Sequence, residues 1–224
     1  MTFRESLRLI RKMARWMLRR DSTLVPPPAP VKRWLLEYFA RHHHLTTFVE
    51  TGTFNGGTVL ALRNVFTRLI TIELQPELCE NARRLLLPYP HVQVRCGDSS
   101  ALLPQALAEL REPALFWLDA HYSGGITARG IADTPIMAEL RAVFAHPAKR
   151  HIIAIDDAKD FGHGDYIDLD VVRTEAARTG AYTSVQVAHN MIIISPRPFR
   201  IPGTARILFS LIGRALTPRH TPHA

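Results

Sequence analysis

At 224 residues and 46% hydrophobic content, the chain is long enough to bury one substantial core, and a single domain with terminal extensions is expected. The formal charge of +8 sits at the ends: residues 1–20 carry seven Lys/Arg against one acid and residues 197–224 carry five Arg and no acid, which leaves residues 21–196 at −3. A mildly acidic body argues against a specific nucleic-acid partner lying across an active site, and without an apolar run of about eighteen residues no segment is expected to span a membrane.

The N-terminal segment places Phe3, Leu7, Ile10, Met13, Ala14 and Met17 at helical spacing, with Arg4, Arg8, Arg11, Lys12, Arg15 and Arg19 around the remaining circumference. A basic amphipathic helix over residues 1–24 is expected, either lying on an anionic membrane surface or packed on the body or a partner. The run Val25-Pro26-Pro27-Pro28-Ala29-Pro30 ends that helix, because proline favours extended backbone. Residues 25–45 then read as a proline-rich linker and a helix that ends at His42-His43-His44, where imidazolium charge suits the helix C-terminus. From residue 46 apolar runs of strand length alternate with helical patterns, the signature of a parallel sheet covered on both faces. Strands are predicted at 47–50, 69–73, 92–96, 114–118 and 151–155, followed by a hairpin of 184–188 and 191–195 around His189-Asn190. Helices are predicted at about 57–66, 76–87, 100–111, 135–145 and 168–179. The fold class that follows is α/β: a Rossmann-like, doubly wound, seven-stranded, mostly parallel sheet with a C-terminal antiparallel hairpin and helices on both faces, over residues 46–196. Residues 197–224 form a basic tail that repeats the amphipathic theme around Ile207–Ile212. Cys79 and Cys96, seventeen apart without a CxxC spacing, read as ordinary buried thiols in a reducing, cytoplasmic compartment, with neither a disulfide nor a zinc site expected.

The first strand runs into a glycine turn as Glu50-Thr51-Gly52-Thr53-Phe54-Asn55-Gly56-Gly57. Dinucleotide folds place closely spaced glycines there so that backbone amides can approach a pyrophosphate. Here the spacing is E-x-G-x-x-x-G, and the acid repels a pyrophosphate but suits the positive sulfur and ammonium of S-adenosylmethionine. Gly52 and Gly56 keep side chains away from that ligand. Ligands of doubly wound sheets bind beyond the carboxyl ends of the strands, and in this chain nearly every strand runs into an acid there. Glu73, twenty-one residues after Gly52, is placed to accept both ribose hydroxyls of an adenosine. Asp98, followed by Ser99, either accepts from the adenine amino group or caps the next helix. Asp119 follows the fourth strand, and Asp156 and Asp157 follow the fifth.

The order Glu50-Thr51-Gly52, Glu73, Gly97-Asp98, Asp119 resembles that of the class I S-adenosylmethionine-dependent methyltransferases across roughly residues 46–196. Within that class, Asp119 followed by Asp156-Asp157 resembles the divalent-metal site of catechol-type and macrolide-sugar O-methyltransferases. The catechol type has an asparagine at the position of Asp157. The resemblance implies a methyltransferase fold, S-adenosylmethionine bound by Glu50, Gly52, Gly56, Glu73, Asp98, Ser99 and Asp119, and a small-molecule or glycan hydroxyl as methyl acceptor. Independently of it, three carboxylates at neighbouring strand ends repel one another unless a proton or a cation intervenes, and hard oxygen ligands suit Mg²⁺. Asp119, Asp156 and Asp157 are therefore the expected metal ligands. His121 is a candidate general base, and Lys159 its rival if a low-dielectric pocket depresses its pKa. Tyr122 and Trp117 are candidates to wall the pocket, and the glycine-rich segment 123–130, with Arg129, to close over a substrate. The leading expectation is a Mg²⁺-assisted O-methyltransferase, cytoplasmic, with basic termini that meet an anionic membrane surface and an oligomeric state left open. The rival expectations are a non-catalytic S-adenosylmethionine-binding or membrane-associated module, and a dinucleotide-dependent oxidoreductase, against which Glu50 and the missing third glycine argue.

Overall fold

The computed structural model describes residues 11, 13, 15, 16, 24–118, 135–164 and 166–216. The chain order is α1 (Ala29–His42), β1 (Thr47–Thr51), α2 (Gly57–Leu62), β2 (Arg68–Glu73), α3 (Pro76–Leu86), β3 (Val92–Cys96), α4 (Ser99–Ala108), β4 (Leu115–Leu118), α5 (Pro135–Ala145), β5 (Ile152–Ile155), a 3-10 turn (Ala158–Asp160), α6 (Leu169–Arg178), β6 (Ser184–Ala188), β7 (Met191–Ser195) and α7 (Thr204–Leu216). The strands form one sheet in the order β3-β2-β1-β4-β5-β7-β6, parallel except that β7 runs antiparallel to both neighbours. Every predicted strand lies within one residue of its observed bounds. The largest departure is α2, which stops at Leu62 and turns so that Phe66 enters the core.

Alternation along the strands builds two cores, because successive side chains point to opposite faces. Phe116, Leu118, Ile153, Ile155, Ile192 and Ile194 meet α4, α5 and α6 on one face. Leu115, Trp117, Ile152, Ala154, Met191 and Ile193 meet α1, α2, α3 and α7 on the other. β4 and β5 are buried at every position, which explains their uninterrupted apolar sequences. The closing hairpin turns on His189 and Asn190, with φ of 53° and 58°, the positive values that a two-residue primed turn requires.

α1 belongs to this body. It buries Trp34, Leu35, Leu36 and Phe39 in the second core, and Trp34 Nε1 donates to Ser210 Oγ of α7 at 2.8 Å. Arg11, Met13, Arg15 and Trp16 are helical; Met13 and Trp16 are buried in the same core, and Trp16 Nε1 donates to the Val25 carbonyl. Of the two expected fates of the N-terminal helix, packing on the body is the one taken at this turn. Its remaining residues lie outside the described ones.

Cys79 and Cys96 correct the sequence reading. They form a disulfide, with Cα atoms 5.6 Å apart, between the first turns of α3 and the last residue of β3. Spacing along the chain could not show this, because the crossover between β2 and β3 folds α3 back over the end of the strand that follows it.

Candidate active site

At the carboxyl edge of the sheet a cavity of about 360 Å³ is lined from α1 by Ala29, Lys32, Arg33 and Leu36, from the glycine turn by Glu50, Gly52, Thr53, Phe54, Asn55, Gly57 and Thr58, and from the central strands by Trp117 and Asp156. A larger cavity of about 740 Å³ lies at the opposite edge, where His44, Pro113 and Arg150 precede β1, β4 and β5. The carboxyl edge, where the crossovers open, is the chemically furnished one. At the amino edge the histidine run ends α1 as expected, but burial and then its neighbours His42 and His44 push the His43 imidazole down to about 4. His43 is therefore neutral near pH 7 and brings no charge to the helix end.

The glycine turn is shaped by backbone that only certain residues adopt easily. Gly52 and Gly56 have φ of 80° and 66°, and Phe54 between them has φ of 48° while exposing its ring. Two acids hold the turn. Glu50 is buried, and its Oε2 accepts from Thr71 Oγ1 at 2.7 Å; Thr53 Oγ1 lies 2.5 Å from Thr71 Oγ1 and continues the chain. Since Thr71 gives its proton to Glu50, Thr53 must donate to Thr71. Glu73 accepts from the Phe54 amide at 2.7 Å through Oε2 and from the Gln75 amide at 3.0 Å through Oε1. The second strand thereby latches the glycine turn of the first. Asp98 caps α4 by accepting from the Ser100 amide at 2.8 Å, next to Ser99, the first residue of the helix.

Arg33 and Lys32, two cations in the first turns of α1, went unrecognised in the sequence because α1 reads there as linker and helix. Arg33 crosses the start of α2 so closely that a Cβ on Gly57 would lie 2.7 Å from its Nη2. Burial lowers the pKa of Arg33, with the charge of Glu50 opposing the shift, and its buried Nε finds no hydrogen-bond partner among the described residues. Lys32 Nζ lies 2.5 Å from Asp156 Oδ2 and 5.9 Å from the centroid of the Trp117 ring. Burial raises the pKa of the Asp156 carboxyl; Lys32 works against that shift, the charge of Asp157 adds to it and the Asp157 amide opposes it.

The Asp156-Asp157 corner is held by the hairpin. Asp157 has φ of 56°, and Asn190 of the turn donates from Nδ2 to Asp157 Oδ1 at 2.9 Å and accepts from the Lys159 amide through Oδ1 at 2.9 Å. Asn190 reads in sequence only as a turn residue; its side-chain role was visible nowhere in the spacing. Lys159 departs from the expectation of a base with depressed pKa. It is exposed and bound to Asp160 Oδ1 and Oδ2 at 2.6 and 2.7 Å, and Asp160 holds its pKa above the usual lysine value. Asp119, His121, Tyr122, the segment 123–130 and Arg129 lie outside the described residues. Among the described residues no group of three His, Cys, Asp or Glu is arranged to hold a metal ion. Of the expected ligands, Asp156 is engaged by the Lys32 ammonium and Asp157 Oδ1 by the Asn190 amide, while Asp119 lies outside the described residues.

No family model and no curated protein matches the sequence. Solved structures do. An O-methyltransferase from Streptomyces achromogenes, TomG, involved in tomaymycin synthesis and complexed with S-adenosylmethionine, is 18% identical over 83% of this chain and 87% of that chain, with a TM-score of 0.55. The O-methyltransferase from Bacillus cereus in complex with SAH is 16% identical over 87% of this chain and 90% of that chain, with a TM-score of 0.56. This chain has the fold of the class I S-adenosylmethionine-dependent methyltransferases. A methyltransferase from Geobacter sulfurreducens is similar as well, 15% identical over 84% of this chain and 88% of that chain, with a TM-score of 0.50. At these identities the likeness is one of fold, and the chemistry has to be argued from the cavity of this chain.

Proposed function

We propose that the chain is an S-adenosylmethionine-dependent O-methyltransferase acting on a small-molecule or sugar hydroxyl. The observation that carries the reading is the cavity at the carboxyl edge, which buried Glu50, near the end of β1, lines together with Arg33 of α1. A carboxylate and a guanidinium in one cavity complement the ammonium and carboxylate of a methionine moiety, and the guanidinium donors of Arg33 suit the latter. The same carboxylate opposes a pyrophosphate. Glu73 retains lone pairs on both oxygens beyond the two amide bonds it accepts, which leaves it able to take ribose hydroxyls; Asp98 and Ser99, at the end of β3, are offered for the adenine end. Bound there, S-adenosylmethionine supplies a methyl group made electrophilic by its sulfonium. The protein's own residues orient it, exclude water through Trp117 and the α1 wall, and hold the acceptor at the Lys32–Asp156 pair. For removal of the hydroxyl proton His121 remains the proposed base.

Structural neighbours whose names specify O-methylation support the choice of oxygen as acceptor atom. As a partner surface, an anionic membrane is supported by the basic ends together with α7, which exposes Phe209 and Ile212 while burying Ile207. No helix among the described residues is long and apolar enough to cross a membrane. The test of the function is calorimetric titration of the full chain with S-adenosylhomocysteine and with NAD⁺, followed by mass spectrometry of a panel of hydroxylated acceptors incubated with S-adenosylmethionine. Saturable binding of the thioether and gain of one methyl by an alcohol or phenol are expected. Binding of NAD⁺ without the thioether would refute the reading.

A further inference from the structure

We infer that the ammonium of Lys32 holds the cation position beside Asp156 and there takes the place of a divalent metal ion at that carboxylate. The inference rests on reading the cavity as the site of methyl transfer, and it begins from geometry. Lys32 Nζ is 2.5 Å from Asp156 Oδ2, with the two side chains 21% and 9% exposed. The remaining oxygen of Asp156 accepts from the Asp157 amide at 2.9 Å, and Asp157 Oδ1 accepts from Asn190 at 2.9 Å. A hard divalent ion needs several oxygens whose lone pairs point at one centre. Here Oδ2 of Asp156 is taken by an ammonium that supplies positive charge at the same place.

Lys32 is fixed there by the fold. Its neighbours Val31, Leu35 and Leu36 are fully buried in the core on the α1 side of the sheet, so the helix cannot rotate the lysine away without exposing them. Removing one partner of a buried pair leaves the other charge uncompensated, and Asp156 without Lys32 must find a proton or another cation. An ammonium also differs from a metal in what it can hold: it offers single rotatable donors rather than several open coordination positions. An acceptor at this site is held by hydrogen bonds from the ammonium, and chelation through a pair of vicinal hydroxyls is not required.

The test is a titration of the full-length protein with Mn²⁺, followed by electron paramagnetic resonance of the free ion, on wild type, Lys32→Ala, Lys32→Gln, Lys32→Arg, Asp156→Asn and the double variant Lys32→Ala/Asp156→Asn. Wild type and Lys32→Arg should show no saturable site. Lys32→Ala should gain one, with Mn²⁺ bound roughly tenfold tighter or more, and the double variant should lose that gain because the carboxylate that recruits the ion is gone. Lys32→Gln keeps a hydrogen-bond donor for Asp156 and reports the same gain if Lys32→Ala fails to fold, which thermal melting reveals. Saturable Mn²⁺ binding by wild type that is abolished by Asp156→Asn overturns the inference, and so does a folded Lys32→Ala or Lys32→Gln that binds no more Mn²⁺ than wild type. Titration of S-adenosylhomocysteine on the same preparations separates the two readings: its failure to bind wild type removes the methyltransferase reading, while the Mn²⁺ comparison still decides the role of Lys32.

Discussion

Acidification should destabilise this protein through His151, at the amino ends of the strands that carry Trp117 and Asp156. His151 is fully buried. The Ala114 amide donates to its Nδ1 at 3.0 Å, and its Nε2 lies 2.9 Å from His146 Nδ1, which also accepts from the Ala148 amide at 3.2 Å. Nδ1 of His151 must therefore carry a lone pair, and the ring is neutral with its proton on Nε2. Burial, followed by His146 and Lys149, holds its pKa down to about 4 against the ordinary 6.5. Because the folded value lies below the unfolded one, the unfolded chain binds more protons between the two, and stability falls as pH drops through that window. Its contribution is fully present above about pH 6.5 and exhausted below about pH 4; between about pH 7 and pH 5 the loss from this residue is about 2 kcal/mol. Urea unfolding followed by circular dichroism at both pH values, on wild type and His151→Gln, measures it. His43 and His189, also shifted downward, are common to both proteins and cancel in the comparison. Equal losses on acidification in the two proteins would refute the assignment of a neutral, buried His151.

Other consequences follow from the site and its supports. Gly57→Ala brings a Cβ against the mobile end of Arg33, so S-adenosylhomocysteine affinity should fall about tenfold with little change in melting temperature, measured by calorimetry and thermal scanning. Glu50→Gln keeps the shape that accepts from Thr71 but removes the charge; a loss of about ten- to a hundredfold in S-adenosylmethionine affinity is expected, and undiminished binding would show that the carboxylate does not face the cofactor. Reduction of the Cys79–Cys96 disulfide, or the double serine variant, should cost about 3 kcal/mol by the chain-entropy argument, read from urea unfolding with and without reductant. Vesicles of phosphatidylglycerol should sediment the protein where phosphatidylcholine does not, and Phe209→Asp should weaken this, since Phe209 is 76% exposed on α7.

The sequence by itself determined the sheet. Strand lengths, their alternation with helical patterns and the His189-Asn190 turn were all legible because periodicity and backbone preference are local properties. It also determined which strand ends carry acids, since those ends are boundaries between apolar runs and loops. What only the tertiary structure decided is the company those acids keep. Lys32 and Arg33 precede β1 by some fifteen residues and read as a linker helix, yet packing α1 on the sheet through Trp34, Leu35 and Phe39 brings them over the strand ends. Asp156 meets the ammonium of Lys32, Lys159 finds Asp160 in place of a dry pocket, and Cys79 meets Cys96 across a crossover. Each is a long-range contact or a side-chain direction fixed by packing, and such contacts leave no periodic trace along the chain.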